Sequence, residues 1–141
     1  MFHAGIFIRR RAAAAGRSHP PGGLYDEQGF RDEFDEIDPR ASHLVLCDRE
    51  VPIATGRFYR APGCDTYLVG RIAVVKAYRG KGVGAALLRA AEQAVRQRQG
   101  RRIALHAQVQ ARPFYEKLGY TAYGAVELEE HCPHIWMEKA L

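Results

Sequence analysis

The segment Val69-Gly70-Arg71-Ile72-Ala73-Val74-Val75-Lys76-Ala77-Tyr78-Arg79-Gly80-Lys81-Gly82-Val83-Gly84-Ala85-Ala86-Leu87-Leu88 decides the fold. An apolar, β-branched run leads into a glycine-rich turn, and a long helical pattern follows at once. Glycines at such a junction leave backbone N–H groups uncovered. The helix start adds its own unpaired donors and the positive end of its dipole. Together these predict a site for a phosphate or pyrophosphate, flanked by Arg79 and Lys81. A P-loop would follow its lysine with Ser or Thr, whereas Lys81 is followed by Gly82. Gly80-Lys81-Gly82-Val83-Gly84-Ala85 does satisfy G-x-G-x-x-A, but a dinucleotide fold also needs an acid about 20 residues further on to hold the ribose. That region reads Gly100-Arg101-Arg102-Ile103-Ala104-Leu105-His106 and contains no acid.

The setting of the loop resembles a family. Arg79-x-x-Gly82-x-Gly84, after a strand and before a helix, resembles the acetyl-CoA signature of the GNAT superfamily of N-acetyltransferases. Further on, Ala111-Arg112-Pro113-Phe114-Tyr115-Glu116-Lys117-Leu118-Gly119-Tyr120 resembles that family's short helix, which carries Phe-Tyr and ends at Leu-Gly-aromatic. Asp32-Glu33-Phe34-Asp35-Glu36-Ile37-Asp38 with His43, and Glu130-His131-Cys132-Pro133-His134-Ile135-Trp136-Met137, are similar to the small bacterial ElaA-like branch. The resemblance runs from Leu24 to Leu141, with two motifs in the correct order and at the correct separation.

The resemblance implies an α/β chain with the GNAT-type acyl-CoA N-acyltransferase fold, a mixed twisted β-sheet with helices on both faces. It implies acetyl-CoA as co-substrate and acetyl transfer to the primary amine of a small molecule, by direct attack in a ternary complex. Backbone N–H groups of Arg79, Gly80, Lys81, Gly82, Val83, Gly84 and Ala85 would bind the pyrophosphate. Ile72, Ala73 and Val74 would pair with the pantetheine arm where their strand splays from Ile103–Gln108. Gln108 stands where many relatives carry a cofactor-contacting Asn, and Phe114 falls on the cofactor side of the second motif. Tyr115, a phenol with an ordinary pKa of about 10, is the expected general acid for the departing thiolate. Glu130 and His134 match the branch pattern and are the candidates for general base, on a segment shared with Glu129 and His131. Asp35, Glu36, Asp38 and His43 form a second group, an acidic lip that would attract a cationic amine. Another reading is a non-catalytic acyl-CoA-binding sensor or regulatory protein, because the N-terminal elements that shape one wall of the acceptor site are atypical.

Composition narrows the classes. The 141 residues suit one domain with a real core. No apolar run approaches the roughly 20 residues of a membrane span. Cys47, Cys64 and Cys132 are odd in number and widely spaced, which predicts no disulfide framework and a reducing, cytoplasmic setting. The net charge of +5 is mostly local: residues 1–25 contain Arg9, Arg10, Arg11 and Arg17 and no acid. A nucleic-acid partner would need its cations clustered on the folded surface, so none is expected. His131-Cys132-x-His134 lacks the separated ligand pairs of a zinc site, so no metal is expected either. A homodimer would cover an exposed sheet edge.

Residues 1–23 are an expected atypical basic segment, disordered or displaced, with Phe2–Ile8 a candidate edge strand. Residues 24–141 are the expected acetyltransferase domain. Leu24–Phe30 reads as a helix end with a turn at Gly29, and Asp32–Asp38 as an acidic loop or short helix ended by Pro39. His43–Cys47 and Pro52–Tyr59 form a hairpin, and Thr66–Val75 is the longest strand. Gly82–Gln99 is the clearest helix. Val83, Leu87, Leu88, Ala91 and Val95 line one face, with Arg89, Glu92, Gln93, Arg96, Gln97 and Arg98 on the wet face and Gly100 as C-cap. Ile103–Gln108 is a strand and Ala111–Leu118 a short helix closed by Gly119. Thr121–Leu128 and His134–Lys139 are the last strands, with Trp136 and Met137 assigned to the core.

Overall fold

The computed structural model describes residues 4–10 and 41–141. The expected Leu24–Phe30 helix end and the acidic lip of Asp35, Glu36 and Asp38 lie outside the described residues. Among the described residues, seven strands form one mixed sheet in the order β1-β2-β3-β4-β5-β7-β6. They are β1 (Ala4–Arg10), β2 (Ser42–Asp48), β3 (Val51–Arg60), β4 (Thr66–Val74), β5 (Arg102–Gln108), β6 (Thr121–Glu129) and β7 (Cys132–Ala140). Helix α1 (Val83–Gln97) follows β4, and the short α2 (Arg112–Lys117) follows β5. The expected first strand is therefore present, shifted to Ala4–Arg10 and paired antiparallel with β2 at the sheet edge.

Helix α1 carries the core. Val83, Leu87, Leu88, Ala91 and Val95 are all buried, as their spacing requires. They pack on Leu44, Ile53 and Phe58 of β2 and β3 and on Ile103 and Met137 of β5 and β7. Glu92 departs from the expected wet face. It is only 4 % exposed, accepts a hydrogen bond from Tyr120 Oη at 2.9 Å, and faces Lys139 Nζ at 3.1 Å. A carboxylate is tolerated there because a cation and a phenol from α2's C-terminal side and β7 converge on it. Burial first, then the Glu92 carboxylate, pushes the Tyr120 phenol above its ordinary range. Arg98 is half-buried, lying over the Phe58 ring and donating to Ser42 Oγ at 2.7 Å. The helix closes in a Schellman motif, with Gln99 N–H donating to Arg96 C=O and Gly100 N–H to Val95 C=O. The left-handed residue is Gln99 (φ 69°), not Gly100. Glycine is required at 100 for space, because a Cβ there would stand 2.3 Å from Val95 Cγ1 and 2.8 Å from the Tyr67 ring.

The feature that shapes the site is a break in the sheet. β4 and β5 run parallel, but only Thr66–Val69 pairs with Arg102–Leu105. On its other edge β4 has a bulge: Arg57 pairs with Gly70 and Thr55 with Ala73, leaving Arg71 and Ile72 opposite Gly56. Arg71 adopts φ 55°, the left-handed region, within this bulge. The extra residue bends β4 two residues after its last pair with β5, where the two strands part and a cleft opens between them.

Candidate functional site

The cleft has a volume of about 690 Å³. Its walls include Gly70, Arg71 and Ile72 of β4, His106 and Gln108 of β5, Tyr115 of α2, and Glu129, Glu130, His134 and Trp136 of the β6–β7 hairpin. Ile72, Gln108, Tyr115, Glu130 and His134, five residues singled out from the sequence, therefore meet in one opening. Ala73, Val74, Phe114 and the glycine loop stand outside its walls. Val75 N–H donates to Ile53 C=O at 2.8 Å, which makes Val74 and Ala54 a non-hydrogen-bonded pair. The backbone groups of Ala73 thus face β3, while those of Val74 face away from it, toward the parted side.

The loop leading to α1 is tied down at its base. A single 3-10 turn, Lys76–Tyr78, leaves β4, and Tyr78 Oη donates to Asp48 at 2.6 Å. Arg79 Nε donates to Val74 C=O at 3.1 Å, and Lys81 Nζ sits 5.7 Å above the Tyr78 ring. Gly80 (φ 77°) and Gly82 (φ 81°) are left-handed, and a Cβ on either would meet no atom within 4 Å. Among the described residues, no backbone carbonyl accepts from the amides of Gly80 to Ala85; the first helical bond is Ala86 N–H to Gly82 C=O. A run of unpaired N–H groups thus opens on empty space at a helix N-terminus. Gly84 brings the helix against α2, with Phe114 Cζ 3.5 Å from where its Cβ would be.

Tyr115 is held by an edge-on contact with Phe114 (5.0 Å between centroids) and another with Tyr120 (5.9 Å). Burial pushes its phenol above the usual tyrosine range. His134 is 8 % exposed, and its Nδ1 lies 2.8 Å from Cys132 C=O. A carbonyl only accepts, so Nδ1 carries the proton and the neutral ring keeps its lone pair on Nε2. Glu130 and His131 form the two-residue turn between β6 and β7, both at positive φ (51° and 67°). Trp136, expected in the core, is only half-buried and lines the cleft; Met137, one residue on, is fully buried.

Sequence reasoning missed His106. It is the first residue of β5 beyond the last pair with β4, opposite Trp136 of β7. Its ring stacks on Trp136 (4.7 Å, 23°), and its Nδ1 donates to Glu129 Oε1 at 2.6 Å. Among the described residues, no group of three or more His, Cys, Asp or Glu side chains is arranged to hold a metal ion. No described helix is long and apolar enough to cross a membrane. Cys47, Cys64 and Cys132 are all free thiols.

A parallel pair that parts at a bulge, beside a helix start with unpaired amides, defines an acyl-CoA N-acyltransferase fold. Comparison with known proteins agrees. The profile of the acetyltransferase (GNAT) domain matches residues 22–141. YjcF of Bacillus subtilis, an uncharacterized N-acetyltransferase, is 36% identical over 109 residues, covering 77% of this chain and 76% of its own. Escherichia coli ElaA superposes with a TM-score of 0.77 at 19% identity, covering 97% of this chain and 99% of its own, a likeness of fold. An aminoglycoside 6'-N-acetyltransferase solved with coenzyme A superposes with a TM-score of 0.71 at 18% identity, covering 96% of each chain. The chain belongs to the GNAT family of acetyltransferases, enzymes that use acetyl-CoA.

Proposed function

We propose that the chain transfers an acetyl group from acetyl-CoA to the primary amine of a small molecule, by direct attack while both are bound. The observation that carries this reading is the row of unpaired amides from Gly80 to Ala85 beside the opening between β4 and β5. The residues present suit the co-substrate. The amides of the loop, with Arg79 and Lys81, would hold the diphosphate. The unpaired edge of β4 at Ile72 and Val74 would hydrogen-bond the amide-rich arm, with Gln108 and Phe114 beside it. Coenzyme A in the aminoglycoside 6'-N-acetyltransferase of the same fold supports this ligand.

When bound, acetyl-CoA supplies an acyl group activated as a thioester. The chain's own groups do the rest. Tyr115 donates its phenolic proton to the departing sulfur, and its raised pKa keeps that proton available at neutral pH. His134 accepts the amine proton at Nε2, the nitrogen left unprotonated by the bond to Cys132. Glu130, exposed at the cleft mouth, attracts the protonated amine before it is neutralised. Cys47, Cys64 and Cys132 do not line the cleft, which favours direct attack over an acyl-cysteine.

Thermal shift tests the first step: acetyl-CoA raises the melting temperature and NAD does not. Thiol release with a panel of small primary amines tests the second. No shift with acetyl-CoA, or no thiol release above hydrolysis with any amine, would overturn the reading.

A further inference from the structure

We infer that His106, clamped by Glu129, is a positioning residue that sets the orientation of the His134 ring. The inference rests on the assignment of His134 as base. The His106 side chain is 19 % exposed, and its Nε2 is fully buried with no hydrogen-bond partner among the described residues. Glu127 Oε1 stands 3.5 Å from that nitrogen, beyond good hydrogen-bond geometry. A buried nitrogen left this way is unfavourable, and such groups call for an explanation outside stability.

The surroundings supply one. His106 is fixed on two sides: its face lies on Trp136, and its Nδ1 is gripped by Glu129. On a third side its ring meets that of His134, with centroids 5.0 Å apart and planes 36° from parallel. The sheet register puts these groups on one face. His106 is opposite Trp136, while His134 is opposite both Gln108 and Glu127. Among the described residues, the His134 ring makes one hydrogen bond, from Nδ1 to the carbonyl two residues back. One such bond leaves the imidazole able to swing about the Nδ1–carbonyl direction. The His106 ring removes that freedom, and Glu129 removes the freedom of His106. The hairpin thereby carries its own brace: Glu129, just before the turn, acts through β5 on His134, just after it.

His106→Phe keeps the stack on Trp136 but cannot donate to Glu129. Glu129→Ala removes the clamp from the other end, at an exposed position where folding is not at stake. Glu129→Gln keeps an oxygen that accepts from Nδ1. His106→Phe and Glu129→Ala are expected to lower kcat by roughly 10- to 100-fold, the usual effect of misplacing a reacting group by about 1 Å. The KM for acetyl-CoA should stay within about twofold, because the brace does not touch the loop. Glu129→Gln should restore most of kcat. The readout that a purely structural role would not move is the imidazole 15N spectrum of His134. Its ring resonances should be narrow in the wild type and in Glu129→Gln, and broadened by ring motion in the two disabled variants. The inference is overturned if kcat is unchanged in His106→Phe or in Glu129→Ala. It is equally overturned if kcat falls while the His134 spectrum keeps its wild-type form. His134→Ala separates the two levels: full turnover there refutes the base assignment, whereas the ring spectrum of His134 judges the brace alone.

Discussion

Gly82→Ala probes the anion-binding loop directly. Gly82 caps α1 at φ 81°, and a Cβ added there meets nothing within 4 Å. No steric clash therefore contributes, and the stability loss reduces to placing an L-residue in the left-handed region, about 1–2 kcal/mol. For a domain of this size that lowers the melting temperature by about 3–8 °C. The methyl group occupies the empty space over the unpaired amides. If it prevents one charge-assisted hydrogen bond to the diphosphate, about 1.5–3 kcal/mol of binding is lost. That corresponds to a weakening of acetyl-CoA affinity by about 10- to 150-fold. Gly63 provides the control. It has φ 75° and equally open surroundings, but sits in the β3–β4 turn, at the opposite end of β4 and about 30 Å along the strand from the loop. Gly63→Ala should lose the same stability and keep full affinity. Calorimetric titration with acetyl-CoA, alongside melting curves of both variants, makes the comparison. Equal affinities for the two folded variants would refute the claim that the loop amides face the ligand.

Tyr115→Phe should lower kcat with little change in acetyl-CoA affinity, measured by thiol release and titration; loss of binding instead would show that the phenol holds the ligand and does not act as an acid. Burial raises the pKa values of Tyr115 and Tyr120 in the folded chain, so the unfolded chain loses these protons first. Their contribution to stability is complete below about pH 10 and falls as pH rises beyond it, which denaturant titrations across the alkaline range would follow. Glu92→Ala takes the acceptor from Tyr120 Oη and leaves Lys139 Nζ with Leu118 C=O, and should cost about 1–3 kcal/mol in urea unfolding. Gly100→Ala forces a methyl into Val95 and Tyr67 and should destabilise by about 1–3 kcal/mol, whereas Gln99→Gly relieves a left-handed residue and should gain about 0.5–1 kcal/mol by the same assay.

Periodicity made α1 legible, because Val83, Leu87, Leu88, Ala91 and Val95 recur at helical spacing, and β-prone runs between turn residues placed β2 to β7 to within a few residues. The glycine loop was legible because its geometry is local. What the sequence withheld was set by distant neighbours. Glu92 looks solvated when read beside Arg89 and Arg96, since its cation, Lys139, lies 47 residues away. Trp136 reads as core from its flanking Ile135 and Met137, and only the opening between strands exposes its face. Arg71 carries no glycine to announce a bulge; that kink follows from the registers of β3 and β5 on either side. His106 stands between Leu105 and Ala107 in β5, and nothing near it in the chain announces Glu129 or Trp136.

The seam between Thr66–Val69 and Arg102–Leu105 joins the two parts of the sheet through only four rungs. On one side lies the antiparallel ribbon β1–β4, on the other the ribbon β5-β7-β6. A junction that short resists shear but gives little torsional stiffness, much like a door hung on a single hinge plate. Twisting of one ribbon against the other changes the separation of Ile72 from His134, and α1, whose buried face rests on both ribbons, is the strut that resists it.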